Sequence, residues 1–199
     1  SGAPYRRMTD QFSILKLVTE RLDAAGIAYM LTGSIAAGYY AQPRMTRDID
    51  LVVELEPHDA ERFAAAFAPE FNCDVDVIRG AIARRSLFNL IHLEAIAKVD
   101  FVVRKDIPYR REEFRRRRHV EIGGHPLWIV STEDLILSKL AWAKTSRSEM
   151  QLRDVRQLLS SAPTLDQIYL DRWAASLTVT DLLQEVRAAR RTSDTVVVF

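Results

Sequence analysis

Two aspartates, Asp48 and Asp50, stand at alternate positions at the head of the apolar run Leu51-Val52-Val53. Side chains two apart on a strand share a face, roughly 6–7 Å apart at the backbone. Carboxylates that close repel unless a cation sits between them. An all-oxygen donor set suits magnesium, a hard ion that keeps substrate phosphates in its shell. Upstream, Thr32-Gly33-Ser34 sets a glycine-serine turn ahead of a helical run. The glycine would let backbone approach a triphosphate, and Ser34 with the first helical amides would receive its oxygens. Arg44 or Arg47 could neutralise a leaving pyrophosphate. A third acid, Asp100, interrupts the apolar run Lys98-Val99-Asp100-Phe101-Val102-Val103. Beside Asp50 it would complete a carboxylate set for two divalent ions about 3.5–4 Å apart. Taken singly, these features are also what an ordinary helix cap and a solvent-facing strand start look like. A competing pair, Asp74 and Asp76, lacks the glycine-serine helix start and reads as part of an edge strand.

Together, Thr32-Gly33-Ser34, Arg44-x-Thr46-x-Asp48-Ile49-Asp50 and the distant Asp100 resemble the nucleotidyltransferase superfamily of polymerase-beta-like fold. More narrowly the chain resembles the AbiEii-like toxin nucleotidyltransferases. Ser131-x-Glu133-Asp134-Leu135 through Lys139, then Arg153-Asp154, are similar to the helical part of that group. The resemblance extends over roughly residues 28–160. It implies an α+β, mixed-sheet catalytic fold with a C-terminal helical region. It also implies transfer of a nucleoside monophosphate from an NTP, with Mg2+ (or Mn2+) as cofactor and pyrophosphate released. Asp48 and Asp50 would bind both ions and Asp100 the catalytic one. Gly33, Ser34, Arg44, Arg47, Lys139 and Asp154 would form the nucleotide site, with Lys139 also counted as catalytic. RNA, particularly a tRNA end, is the implied acceptor, and a cognate antitoxin the implied partner. Transfer to an antibiotic or protein hydroxyl is the enzymatic alternative. A catalytically idle nucleic-acid- or protein-binding module is the alternative of another class.

Hydrophobic periodicity supplies the elements that must hold these residues. A helix is expected over residues 9–24, ended by Gly26, then a strand over 27–31 and a helix from Ser34 to about Tyr40, closed by Pro43. A strand over 49–55 carries the paired acids, and Pro57 opens a helix through Phe67. Residues 73–78 alternate as a strand, 81–85 form a short turn or helix, and 88–93 and 97–103 are two further strands. A hairpin is expected around Gly123-Gly124, from 120–122 to 127–130. Ser131 caps the next helix, and helical patterns continue over 150–159, 165–176 and 180–190. The reading is a catalytic region over 1–130 and a helical region over 131–199, packed as one unit. The apolar ending Val196-Val197-Val198-Phe199 could pair with a sheet edge or simply pack.

Composition bounds the rest. At 199 residues and a net charge of +1, the chain can bury one sizeable core, and its bulk charge names no partner. The positive charge is concentrated between Arg110 and Arg118, which reads either as a solvated helix face or as a groove for nucleic-acid phosphates, with Tyr109 and Phe114 able to stack on bases. The lone Cys73 rules out an intrachain disulfide framework and fits a reducing, cytoplasmic setting. No apolar run is long enough for a spanning helix, so no stable membrane association is expected. His92 and Glu94 invite an acid–base reading, although packing is the better account of the histidine. The glycine pattern of a P-loop is absent, which argues against an ordinary ATPase or kinase.

Overall fold

The computed structural model describes residues 3–43, 45–46, 48–68, 70–95 and 97–194, with backbone alone over 3–10 and 190–194. Arg44, Arg47 and the ending Val196 to Phe199 lie outside the described residues. The described chain falls into two units: one within Ser1–Ile35 and Met45–Ile129, the other within Ala36–Arg44 and Val130–Phe199.

The first unit holds a six-stranded sheet in the order β3-β4-β2-β1-β6-β5. The strands are β1 (Tyr29–Thr32), β2 (Asp48–Val53), β3 (Leu87–Ile91), β4 (Lys98–Val103), β5 (Arg118–Ile122) and β6 (His125–Ile129). β2 runs parallel to β4, and β1 runs parallel to β6. The other neighbours are antiparallel, which gives the mixed sheet that the sequence implied. Four helices share this unit: α1 (Ala3–Ala24), α3 (Ala60–Phe67), α4 (Val75–Arg84) and α5 (Pro108–Arg115). Alternation in the central strands decides which face is covered. Ile49, Leu51, Val53, Val99, Phe101 and Val103 are all fully buried. On that face Phe63 of α3 meets Phe88 and Phe101 edge-on, with ring centroids 5.3 and 5.1 Å away.

One element departs from expectation. Residues 75–84 form α4, where the alternating Asp74-Val75-Asp76-Val77 suggested a strand. The Asp74 carboxylate accepts from the amides of Asp76 and Val77 and so caps a helix. Helical spacing then buries Ile78, Ala81 and Ile82 while leaving Val77 exposed. The expected helix at Pro57 begins as a 3-10 turn (Pro57–Asp59) before α3.

The helix α2 (Gly33–Tyr40) starts in the first unit and ends in the second. The second unit otherwise consists of α6 (Thr132–Ser146), α7 (Glu149–Ser161), α8 (Gln167–Ser176) and α9 (Thr180–Asp194). Ser131 caps α6 as expected, accepting from the Asp134 amide at 3.2 Å. The buried Asp134 carboxylate in turn accepts from Ser131 Oγ and Tyr169 Oη, both at 2.6 Å, tying α8 to the start of α6.

Candidate active site

Strand register assembles the site. Parallel pairing sets Asp50 directly beside Asp100, and Asp48 beside Lys98. Antiparallel pairing sets Thr32 beside Asp50 on one side and Asn89 beside Asp100 on the other. One row across four strands therefore reads Asn89, Asp100, Asp50, Thr32. The adjoining row reads Ile91, Lys98, Asp48. Partners in register project from the same face, and here it is the face opposite the phenylalanine core. Along β2 exposure falls from Asp48, which is exposed, to Asp50, which is half-buried; Asp100 on the inner strand β4 is buried.

Gly33 completes the acidic corner. It follows β1 and opens α2 with φ +68°, in the left-handed region. A β-carbon at this position would fall 2.1 Å from Asp50 Oδ2 and 2.7 Å from its Cγ. Only glycine allows the Asp50 carboxylate to lie against this strand-to-helix turn. Ser34, partly exposed, is next in the first turn of α2.

The two oxygens of Asp100 have different fates. Oδ2 accepts from Lys98 Nζ at 2.8 Å. Oδ1 is buried and has no hydrogen-bond partner, a costly state for a carboxylate oxygen unless a cation or water meets it. The hydrogen bond to Asp100 holds the Lys98 ammonium above its ordinary range; the charges of Asp100, Asp48 and Asp50 add to this, against the opposing effect of desolvation. The donor set fits a divalent ion: hard carboxylate oxygens on one face, one of them buried without a donor, and a glycine cradle beside another. It is an open lattice. Among the described residues, no three His, Cys, Asp or Glu side chains are gathered closely enough to hold an ion.

Solved structures share this architecture. A nucleotidyltransferase-like antigenic protein from Paracoccidioides brasiliensis superposes with a TM-score of 0.57 at 13% identity, over 94% of this chain and 91% of that one. The antibiotic-resistance factor ANT(2'')-Ia gives 0.54 at 14% identity, over 94% and 98% of the two chains. The lincosamide antibiotic adenylyltransferase LnuA, with lincomycin bound, gives 0.51 at 13% identity, over 77% and 97%. The chain has the nucleotidyltransferase fold. No protein-family model matches the sequence, and no curated protein does.

Within this nucleotidyltransferase fold the remaining candidates sit as follows. Lys139 and Asp154 belong to the second unit, where both are buried and paired, Nζ to Oδ2, at 2.8 Å. Gln151 Oε1 accepts from the same ammonium at 3.0 Å. Helical spacing turns both side chains inward between α6 and α7.

The arginine-rich segment is largely closed on itself. Arg110 pairs with Glu113 at 2.8 Å, Arg111 with Asp106 at 2.6 Å and Arg115 with Glu112 at 2.7 Å. Arg117 lies over the Phe114 and Trp128 rings, 4.4 and 4.8 Å from their centroids. Tyr109 and Phe114 are buried, so their rings are not offered to bases. Arg111 beside Asp106 holds that carboxyl down at about 2. His92 is a packing residue: its ring meets Phe71 edge-on at 5.0 Å, and Nδ1 accepts from the Ala95 amide. Glu94 is exposed in the following turn and shares no strand face with it. Asp76 pairs with Arg79 on the surface of α4 at 2.5 Å.

Sequence reasoning passed over Lys98 and Asn89. The i, i+2 spacing that joined Asp48 to Asp50 also joins Lys98 to Asp100, so that signal was present. Asn89 carries no such signal, because only the pairing of β3 with β4 brings it beside Asp100.

Proposed function

We propose that this chain is a magnesium-dependent nucleotidyltransferase that moves a nucleoside monophosphate from an NTP to an acceptor hydroxyl. The observation that carries this reading is the parallel register of β2 and β4, which sets Asp50 beside Asp100 with Asp48 on the same face. Magnesium, when bound, would polarise the alpha-phosphate, lower the pKa of the acceptor hydroxyl and offset charge on the departing pyrophosphate. Asp48 and Asp50 would hold it from β2, and Asp100 from β4 through its donorless Oδ1. Gly33 and Ser34 would receive the triphosphate at the start of α2, where backbone amides favour anions. The acceptor oxygen bonds to the alpha phosphorus as the bond from that phosphorus to pyrophosphate breaks, and the hydroxyl proton leaves toward the carboxylate side. Lys139 with Asp154, and Arg44 or Arg47, are the further nucleotide contacts implied by the sequence resemblance.

The AbiEii-like pattern around Ser131 to Lys139 supports an RNA end as the acceptor and, with it, a toxin role. A small hydroxylated compound is the second reading. Closure of Arg110, Arg111 and Arg115 onto the chain's own acids favours it, because those charges are already matched. Of the proteins that share the fold, ANT(2'')-Ia is an antibiotic-resistance factor and LnuA a lincosamide antibiotic adenylyltransferase.

The test is incubation with each alpha-labelled NTP, magnesium or manganese, and separate RNA, protein and small-molecule pools. Wild type should transfer label to one pool, and the Asp48→Asn/Asp50→Asn double variant to none. Equal labelling by both proteins would overturn the assignment of the site.

A further inference from the structure

We infer that Lys98 is a place-holding cation of this site: its ammonium balances the three carboxylates until a divalent ion arrives, and then withdraws. The inference rests on the nucleotidyltransferase reading and goes beyond it, because it assigns a role to a residue outside the acidic set. Three observations carry it.

The first is position. Lys98 is two residues before Asp100 on β4 and in direct register with Asp48 on β2, so it projects from the face that carries all three acids. The second is contact. Its ammonium holds Asp100 Oδ2 at 2.8 Å, while Oδ1 of the same carboxylate, buried, has no partner. Without that ammonium, Asp100 would be a buried carboxylate beside two more acids, with neither oxygen held by it, and burial and like charge would both work against it. The third is exposure. The Lys98 side chain is 44% exposed, compared with 5% for Lys139 in the buried pair of the second unit. A compact charge on a flexible four-carbon stem can swing from Asp100 into water at little cost. Lys139 is enclosed and has no such exit.

A positive charge beside the carboxylates opposes an incoming dication, so the place-holder trades metal affinity for a stable metal-free sheet. Replacing Lys98 with methionine removes the charge and keeps an unbranched stem. The probe is Mn2+ alone, without nucleotide, titrated into the full chain while the electron paramagnetic resonance of free Mn2+ is followed. Lys98→Met should bind Mn2+ more tightly than wild type, on the order of tenfold, and melt about 2–4 °C lower in EDTA. Lys98→Arg, which keeps the charge, should match wild type in both respects. Lys98→Met binding no more tightly than wild type would overturn the inference, as would Lys98→Arg gaining affinity equally.

The Asp48→Asn/Asp50→Asn variant distinguishes loss of the metal site from loss of the role given to Lys98. If it loses Mn2+ while Lys98→Met binds as wild type does, the metal site stands and the role of Lys98 falls. If it keeps wild-type affinity, the ion lies elsewhere, and both the site assignment and the inference fall.

Discussion

The Asp50 carboxylate rests so close to Gly33 that a β-carbon on the glycine would stand 2.1 Å from Oδ2. The contact joins the strand that carries the acids to the turn that opens α2, so one substitution should damage both. Gly33→Ala meets this overlap and also a φ of +68°. Gly26 provides the control, with φ +64° and nothing within 4 Å of its would-be β-carbon. Gly26→Ala should cost about 1 kcal/mol, from backbone strain alone. Gly33→Ala should cost about 2–4 kcal/mol, since steric overlap is added, and should abolish nucleotidyl transfer. Urea denaturation of the two variants side by side measures the difference.

The buried pair of Lys139 and Asp154 calls for a double-variant comparison. Lys139→Met strips a buried carboxylate of its cation and should destabilise the protein by about 3–5 kcal/mol. Adding Asp154→Leu removes the stranded charge and should restore most of that loss. Activity then separates the two roles. If Lys139 serves the nucleotide, the stable double variant remains inactive. If the pair only packs α6 on α7, activity returns with stability.

Local signals carried most of the fold. The Ser131 cap, the apolar strands that became β2 and β4, and the helical stripes of the C-terminal region all formed where periodicity put them. Competition between two local signals decided the one misread element. Over Asp74-Val75-Asp76-Val77 alternation favours a strand, yet the Asp74 side chain reaches its own downstream amides and starts α4. The acids were recognisable by type and spacing, whereas their adjacency depends on β2 running parallel to β4, a long-range choice that periodicity does not encode. The pairing of Lys139 with Asp154 is likewise long-range, since partners on different helices leave no mark in either helix's own pattern.

Tyr29 gives the protein an alkaline limit. Burial, with the charge of Asp23 adding to it, pushes its hydroxyl up to about 12 from an ordinary 10.0. The folded value is the higher one, so the stabilisation is complete below pH 10 and is lost as the pH rises toward 12, where the unfolded chain ionises first. Over that window wild type should lose on the order of 1–3 kcal/mol more than Tyr29→Phe. Urea midpoints of both proteins between pH 9 and 12, with tyrosinate absorbance recorded alongside, check the sign.

The arginines of α5 should divide by what lies beneath them. Arg110 holds Glu113, whose side chain is only 3% exposed, so Arg110→Gln deprives a buried carboxylate of its guanidinium and should cost about 1–3 kcal/mol. Arg111 and Arg115 are 60% and 73% exposed, and their pairs are open to solvent. Exchanging both for glutamine should leave the urea midpoint within error, as exposed ion pairs generally do. The same double variant bears on the acceptor. A guanidinium that contacts RNA phosphate contributes about 0.7 to the slope of log affinity against log salt on a single strand. With both groups already matched by Asp106 and Glu112, RNA binding should keep its slope in the variant. A drop of about 1.4 would mean that RNA opens these pairs and uses them, which would restore the cationic groove that the sequence suggested and favour RNA over a small hydroxyl compound.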